Sequence, residues 1–199
     1  MADTAWTIKP LEPKWALSFG TQAVGHVTVK AVPHLALISL AFDADNAASV
    51  AAKLGIKHLS VGASQASQLA ATTPDETWPC RFAMLQPGQI WLMAETAPSE
   101  LMAQAQARFG GHSWLTDQTD GWVAISVLAD DEVAANAVMA RLCMLDVATI
   151  KIDTATRTLV AHLSVIIIKE GAGHYTLLAP RSSAQHLHHM VTLAAQNAG

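Results

Sequence analysis

The sequence predicts an α+β fold built from two related sheet-and-helix lobes. Three observations carry this. The order of strand-like and helix-like segments in the first half recurs in the second. Identities fall at near-constant spacing, as in an internal duplication. Ile38-Ser39-Leu40 then Asp43 matches Ile125-Ser126-Val127 then Asp130, and Ala47-Ala48 matches Ala134-Ala135, an offset of 87. Leu92 and Ala94 match Leu177 and Ala179, an offset of 85. Finally, the chain is 51% hydrophobic and only 14% charged, against roughly 25% charge in an average soluble protein. Its alanine-rich helices suit close packing on a sheet. The expected organisation is a tail over 1–22, a first lobe over 23–111 and a second over 112–199, in one compact unit.

Element by element, Val27 to Phe42 reads as one or two strands with Pro33 near their junction. Asp43 and Asp45 stand where helix N-caps belong, a helix runs from Asn46 to Leu54, and Gly55 is its stop. Residues 61–79 are rich in Ser, Ala, Thr and Pro and read as a loop. Leu85-Gln86-Pro87-Gly88 is a turn, Gln89 to Ala94 a strand, and Pro98 to Phe109 a helix ended by two glycines. His112 to Thr116 and Trp122 to Leu128 look like a hairpin turning at Asp120-Gly121. Asp130 to Leu142 is a helix. Arg157 to Lys169 reads as one long strand, rich in β-branched residues. A turn at Gly171 to Gly173 leads to a strand at Tyr175 to Ala179. The last helix starts at Ser182, which is spaced with Gln185 as a capping box.

Composition excludes several classes. Disordered chains are polar and highly charged, unlike this one. Twelve Lys and Arg against 16 Asp and Glu supply no positive field for nucleic acid. The longest apolar run, Leu159 to Ile168, is interrupted by His162 and Ser164 and falls short of the roughly 20 residues of a membrane helix. No secretory leader is read at the start. Two cysteines, Cys80 and Cys143, make no disulfide scaffold, so cytoplasm is the expected location and core packing their expected role.

Few residues point to chemistry. His186 and His189 share a helix face beside His188 and could give two ligands of a zinc or nickel site, but a solvated helix end explains them as well. His162, inside an apolar run, reads as a core or interface histidine. The densest polar cluster, Thr116-Asp117-Gln118-Thr119-Asp120-Gly121, makes Asp117 or Asp120 a possible general base; a turn in which Asp caps its own backbone is the preferred reading. Arg181, at the start of the last helix, could bind an anion or pair with a nearby acid. No GxGxxG, GxxxxGK[ST] or GxSxG pattern occurs. Trp6 and Trp15, in a tail without regular period, suit packing on another subunit or on the chain's own core.

The segments Trp114-Leu115-Thr116-Asp117-Gln118-Thr119-Asp120-Gly121-Trp122, Met139-Ala140-Arg141-Leu142-Cys143-Met144-Leu145-Asp146 and Leu177-Leu178-Ala179-Pro180-Arg181-Ser182 resemble the gamma subunit family of heterotetrameric sarcosine oxidase and of related N-methyl amino acid dehydrogenases. Leu85 to Ala94 is similar to the family's midpoint, and Met144 departs from its usual proline. The resemblance is good over about 85–199. It implies paired ferredoxin-like lobes, similar to the folate-binding glycine-cleavage T-protein fold. It also implies a subunit without catalytic, cofactor or metal residues, working beside alpha, beta and delta subunits. Those partners would hold FAD, FMN, NAD, tetrahydrofolate and zinc while the complex demethylates an N-methyl amino acid. The rival expectation is a stand-alone folate-binding one-carbon transfer protein, with Asp117 as its acid.

Overall fold

A computed structural model describes residues 19–198, apart from 34, 58, 71–76 and 112. Trp6 and Trp15 lie outside the described residues. The first half contains β1 (Thr21–Val24), β2 (Val27–Ala31), β3 (Leu35–Ala41), helix α1 (Ala47–Lys53), β4 (Ser64–Ala70), β5 (Thr77–Gln86), β6 (Gln89–Glu95) and helix α2 (Pro98–Phe109). The second contains β7 (Trp114–Asp117), β8 (Trp122–Ala129), helix α3 (Glu132–Leu142), β9 (Thr154–Val160), β10 (Leu163–Gly171), β11 (His174–Pro180) and helix α4 (Ala184–Gln196).

These strands form two antiparallel sheets, one ordered β1-β2-β8-β11-β10-β9 and the other β4-β5-β6-β3-β7. The fold is α+β, and the repeat is visible in the register. Ile38 of β3 pairs with Leu92 of β6, and Ile125 of β8 pairs with Leu177 of β11. The same offsets therefore relate the pairs as well as the residues. One strand of each half is exchanged. β2 pairs with β8 and β7 pairs with β3, so sheet membership does not change at residues 111 and 112. Thr21 and Gln22, placed by the sequence in a tail, belong to β1.

The sheets stack face to face with helices outside. Alternation along each strand sends successive side chains to opposite faces, and here both faces are covered. In β10, Val165 and Ile167 face α3 and α4, while Ile166 and Ile168 meet Leu37, Trp91 and Met93 of the other sheet. This is why the strand reads as an unbroken apolar run. α1 and α2 cover the other sheet through Val50, Leu54, Leu101, Ala105 and Phe109. At roughly 25 cal/mol per Å² of apolar area, each fully buried Leu or Ile contributes about 1.5–3 kcal/mol.

Four expectations are corrected. The Ser- and Ala-rich stretch expected as a loop contains β4 and the start of β5, which pair from Ser64–Ala83 to Ala70–Thr77; sheet pairing overrides weak strand propensity. The long strand is two strands around Ala161 and His162, both at positive φ (49° and 69°). That is the geometry of a tight hairpin turn usually written with Asn and Gly, so the signal was hidden. The segments expected as a hairpin around Asp120-Gly121 lie in different sheets, and Thr119–Gly121 is a 3-10 turn. The last helix begins at Ala184 after a 3-10 turn at Arg181–Ser183, with Ser183 at its N-cap position and no side-chain cap bond.

Candidate functional site

The polar cluster at 116–121 is a structural joint. Asp117 Oδ1 accepts a hydrogen bond from the Thr119 backbone N–H at 2.9 Å, the self-capping expected of a turn aspartate. Thr119 Oγ1 accepts from the Leu37 N–H at 3.0 Å, and Gln118 N–H donates to Leu37 O at 2.8 Å. Arg181 reaches across from the start of the last helix. Its Nη2 donates to Thr119 O at 3.0 Å and stands 3.7 Å from Asp120 Oδ1, while its Nε has no partner. Two of the segments quoted above thus meet, holding β3, β8 and α4 together. Trp122, just beyond the turn, packs edge-on against Trp91 at 4.7 Å.

The histidines separate. His162 is exposed in its turn, not set in the core, because the run it interrupts is a hairpin. On α4, His186 and His189 are exposed, while His188 is 6% exposed. Its ring stacks on Phe19 at 4.4 Å, and its Nε2 has no partner. Burial, aided by the charge of His189, lowers its pKa below the ordinary histidine value. Among the described residues, no group of three His, Cys, Asp or Glu could hold a metal. Cys80 and Cys143 are both buried. Cys143 Sγ donates to Met139 O at 3.4 Å, and burial pushes its thiol up against the lowering effect of a backbone hydrogen bond at Leu145.

Sequence reasoning missed a buried ion pair. Lys169, 1% exposed, donates to Glu132 Oε1 at 2.6 Å and to Ile150 O at 2.9 Å. Its ammonium lies 5.4 Å from the centre of the Tyr175 ring, and Tyr175 OH donates to Asn136 Oδ1 at 2.6 Å. Burial pulls the Lys169 pKa down, but hydrogen bonds and charge at Glu132 and Tyr175 outweigh it and the net shift is upward. Burial raises Tyr175, partly offset by Lys169. Every member is partnered, as a buried charge requires; Lys169 is enclosed, and the network reaches solvent at the half-exposed Glu132 carboxylate.

A second feature was also missed. Between the two sheets, where the apolar layer stops, a cleft of about 480 Å³ opens, within the range of small-molecule sites. Its floor on the β8 sheet is polar. Lys30 is in register with Ser126, and Ser126 with Thr176, so three side chains form a row across β2, β8 and β11. Ser126 Oγ is hydrogen-bonded to His174 Nε2 at 2.8 Å. On the opposite wall, Arg81 is held by Asp153 at 3.0 Å and Glu170 at 3.2 Å. The only sequence signal was alternation, since Ser126 and Thr176 sit at inward positions of apolar strands. Nothing local says that these positions face each other. Asp117, Arg181 and the α4 histidines do not line this cleft.

Among the described residues, no helix is long and apolar enough to cross a membrane. No protein-family model and no curated protein sequence matches the chain. Solved structures do match. The chain is similar to heterotetrameric sarcosine oxidase from Corynebacterium sp. U-96, determined with pyrrole 2-carboxylate: TM-score 0.68, 19% identity, over 91% of this chain and 90% of that one. Those two coverages mean that the matched chain is of nearly equal length. It is also similar to glycine cleavage system aminomethyltransferase T from Bartonella henselae: TM-score 0.65, 14% identity, over 87% of this chain. There it spans 50% of the other chain. At these identities the likeness is one of fold: the chain has the fold shared by a sarcosine oxidase chain and half of an aminomethyltransferase.

Proposed function

We propose that this chain is a non-catalytic, structural subunit of a multi-subunit flavoenzyme that oxidatively demethylates sarcosine or a similar N-methyl amino acid. In that reading it is the gamma-type subunit, beside alpha, beta and delta partners that hold the flavins, NAD, tetrahydrofolate and zinc. One observation carries it: similarity in fold over about nine-tenths of both chains to a chain of a heterotetrameric sarcosine oxidase. The T-protein likeness spans half of the transferase chain.

The test is native mass spectrometry of material purified from the chain's own host through a tag on this chain. Co-elution with larger flavin-bearing chains and a small zinc-bearing chain in equal amounts is the expected result. Recovery of the chain alone would overturn it. Tight tetrahydrofolate binding by the lone chain, lost in Asp117→Ala, would replace it with a one-carbon transfer protein. Asp117 Oδ1 caps the Thr119 backbone N–H, a turn role that explains the residue without a ligand.

A further inference from the structure

We propose that the cleft between the sheets binds a small amphipathic carboxylate. Its oxygens would lie on the row Lys30–Ser126–Thr176, and its apolar body against Val32, Leu35 and Met93 of the cleft wall. The inference is independent of the subunit reading.

Elsewhere the layer between the sheets is apolar, with Leu37, Ile166, Ile168 and Leu178 in contact. In the first half, the row matching Lys30–Ser126–Thr176 is Thr116–Ser39–Trp91. The indole of Trp91 stands where the second half has Thr176, and it fills that space as part of the inter-sheet core. The serine is common to both rows, but its partner differs. Ser39 accepts from the Gln89 amide at 2.6 Å, and Ser126 meets the His174 imidazole at 2.8 Å. The second half therefore has a small hydroxyl in place of a large ring, with an ammonium and an imidazole beside it. In-register neighbours lie about 5 Å apart, so a head group seated on Ser126 and Thr176 is within reach of the long Lys30 side chain.

The donor set defines that head group. Lys30 offers only donors; where His174 Nε2–H donates to Ser126 Oγ, the Ser126 and Thr176 hydroxyls can turn their protons toward a ligand. A carboxylate, which only accepts, is their complement. Arg81 does not compete, since Glu170 and Asp153 engage it; Glu95 also lines the cleft, from the opposite sheet and at an exposed position, where water and salt screen its charge from the row. The mainly apolar walls require a hydrocarbon body on the same molecule.

The experiment titrates the full chain with phenylpropionate, phenylpropanol and phenylpropylamine by calorimetry, and follows the His174 ring resonances by NMR. These probes share one body and differ in head group. Phenylpropionate should bind tightest and shift the His174 signals. Lys30→Gln, at an exposed position, should weaken it about tenfold, the loss of one charged contact, and leave phenylpropanol unchanged. Ala66→Trp, at an exposed position on the cleft rim, should abolish binding by filling the space, with thermal unfolding unchanged. Equal affinity for the three probes, no binding of phenylpropionate, or full binding by either variant would overturn the proposal.

Discussion

Replacing Lys169 by methionine should be nearly harmless, whereas removing its partner should not. Lys169 pairs across its hairpin with Tyr175. The matching pair in the first half is Met84 with Ile90, both buried. The repeat thus shows that the site accepts an apolar solution. In Lys169→Met, Glu132 is half exposed (49%) and returns to water; only the Ile150 carbonyl loses a partner. The expected change is within about 1 kcal/mol, as for buried pairs replaced by hydrophobic groups of similar volume. In Glu132→Ala, the ammonium stays in a site only 1% exposed. Breaking a fully buried pair costs about 3–5 kcal/mol. Discounted for the solvent already reaching Glu132, about 2 kcal/mol remains. For a chain of this size that is a fall in Tm of about 4–8 °C. Urea unfolding followed by tryptophan fluorescence measures both variants. A larger loss for Lys169→Met than for Glu132→Ala would refute the reasoning. The network also sets an alkaline limit. Lys169 and Tyr175 both have pKa values raised on folding, so the folded state keeps protons that the unfolded chain has released. Their contribution is complete below about pH 10, the ordinary range of both groups, and is lost as pH rises beyond it. The double variant Lys169→Met, Tyr175→Phe should flatten that decline.

His188 predicts the opposite slope. Its pKa is lowered on folding, so its contribution is present above about pH 6.5 and fades as pH falls toward the folded value. His188→Phe keeps the stack on Phe19 and removes the unpartnered Nε2; it should flatten the acid limb of unfolding curves and raise stability by about 1 kcal/mol. Thr119→Val should cost about 1–3 kcal/mol in chemical unfolding, because the Leu37 N–H loses the side-chain oxygen it donates to. Gly173→Ala should fold poorly, as a Cβ there would collide with the Ala129 carbonyl oxygen; expression and circular dichroism report this, and a normally stable Gly173→Ala would mean the turn relaxes freely.

Much of the fold was legible in local patterns. The helix from Pro98 to Phe109 has the bounds that its proline and glycines announce. Asp131 caps α3 by accepting from the Ala134 N–H at 2.8 Å, one residue past the first signal at Asp130. The strand around Ile38 and its copy around Ile125 stood out because both faces are apolar. What failed did so for want of a local signature. β4 is strand because β5 lies beside it. Ala161 and His162 turn the chain with residues that rarely do so. The candidate site failed for a related reason: a row such as Lys30–Ser126–Thr176 spans three strands far apart in sequence, and alternation names a face without naming its neighbours.

By itself, then, the sequence determined the α+β class, the duplication and the positions of the helices, since caps, breakers and periodicity act over a few residues. Tertiary structure alone decided which strand lies beside which. It sent β2 and β7 to opposite sheets, made the Thr119–Arg181 contact a joint, buried Lys169 against Glu132, and opened the cleft at Thr176. A period-two pattern fixes the side of a strand that must be covered, while the partner that covers it is selected by the packing of the whole chain.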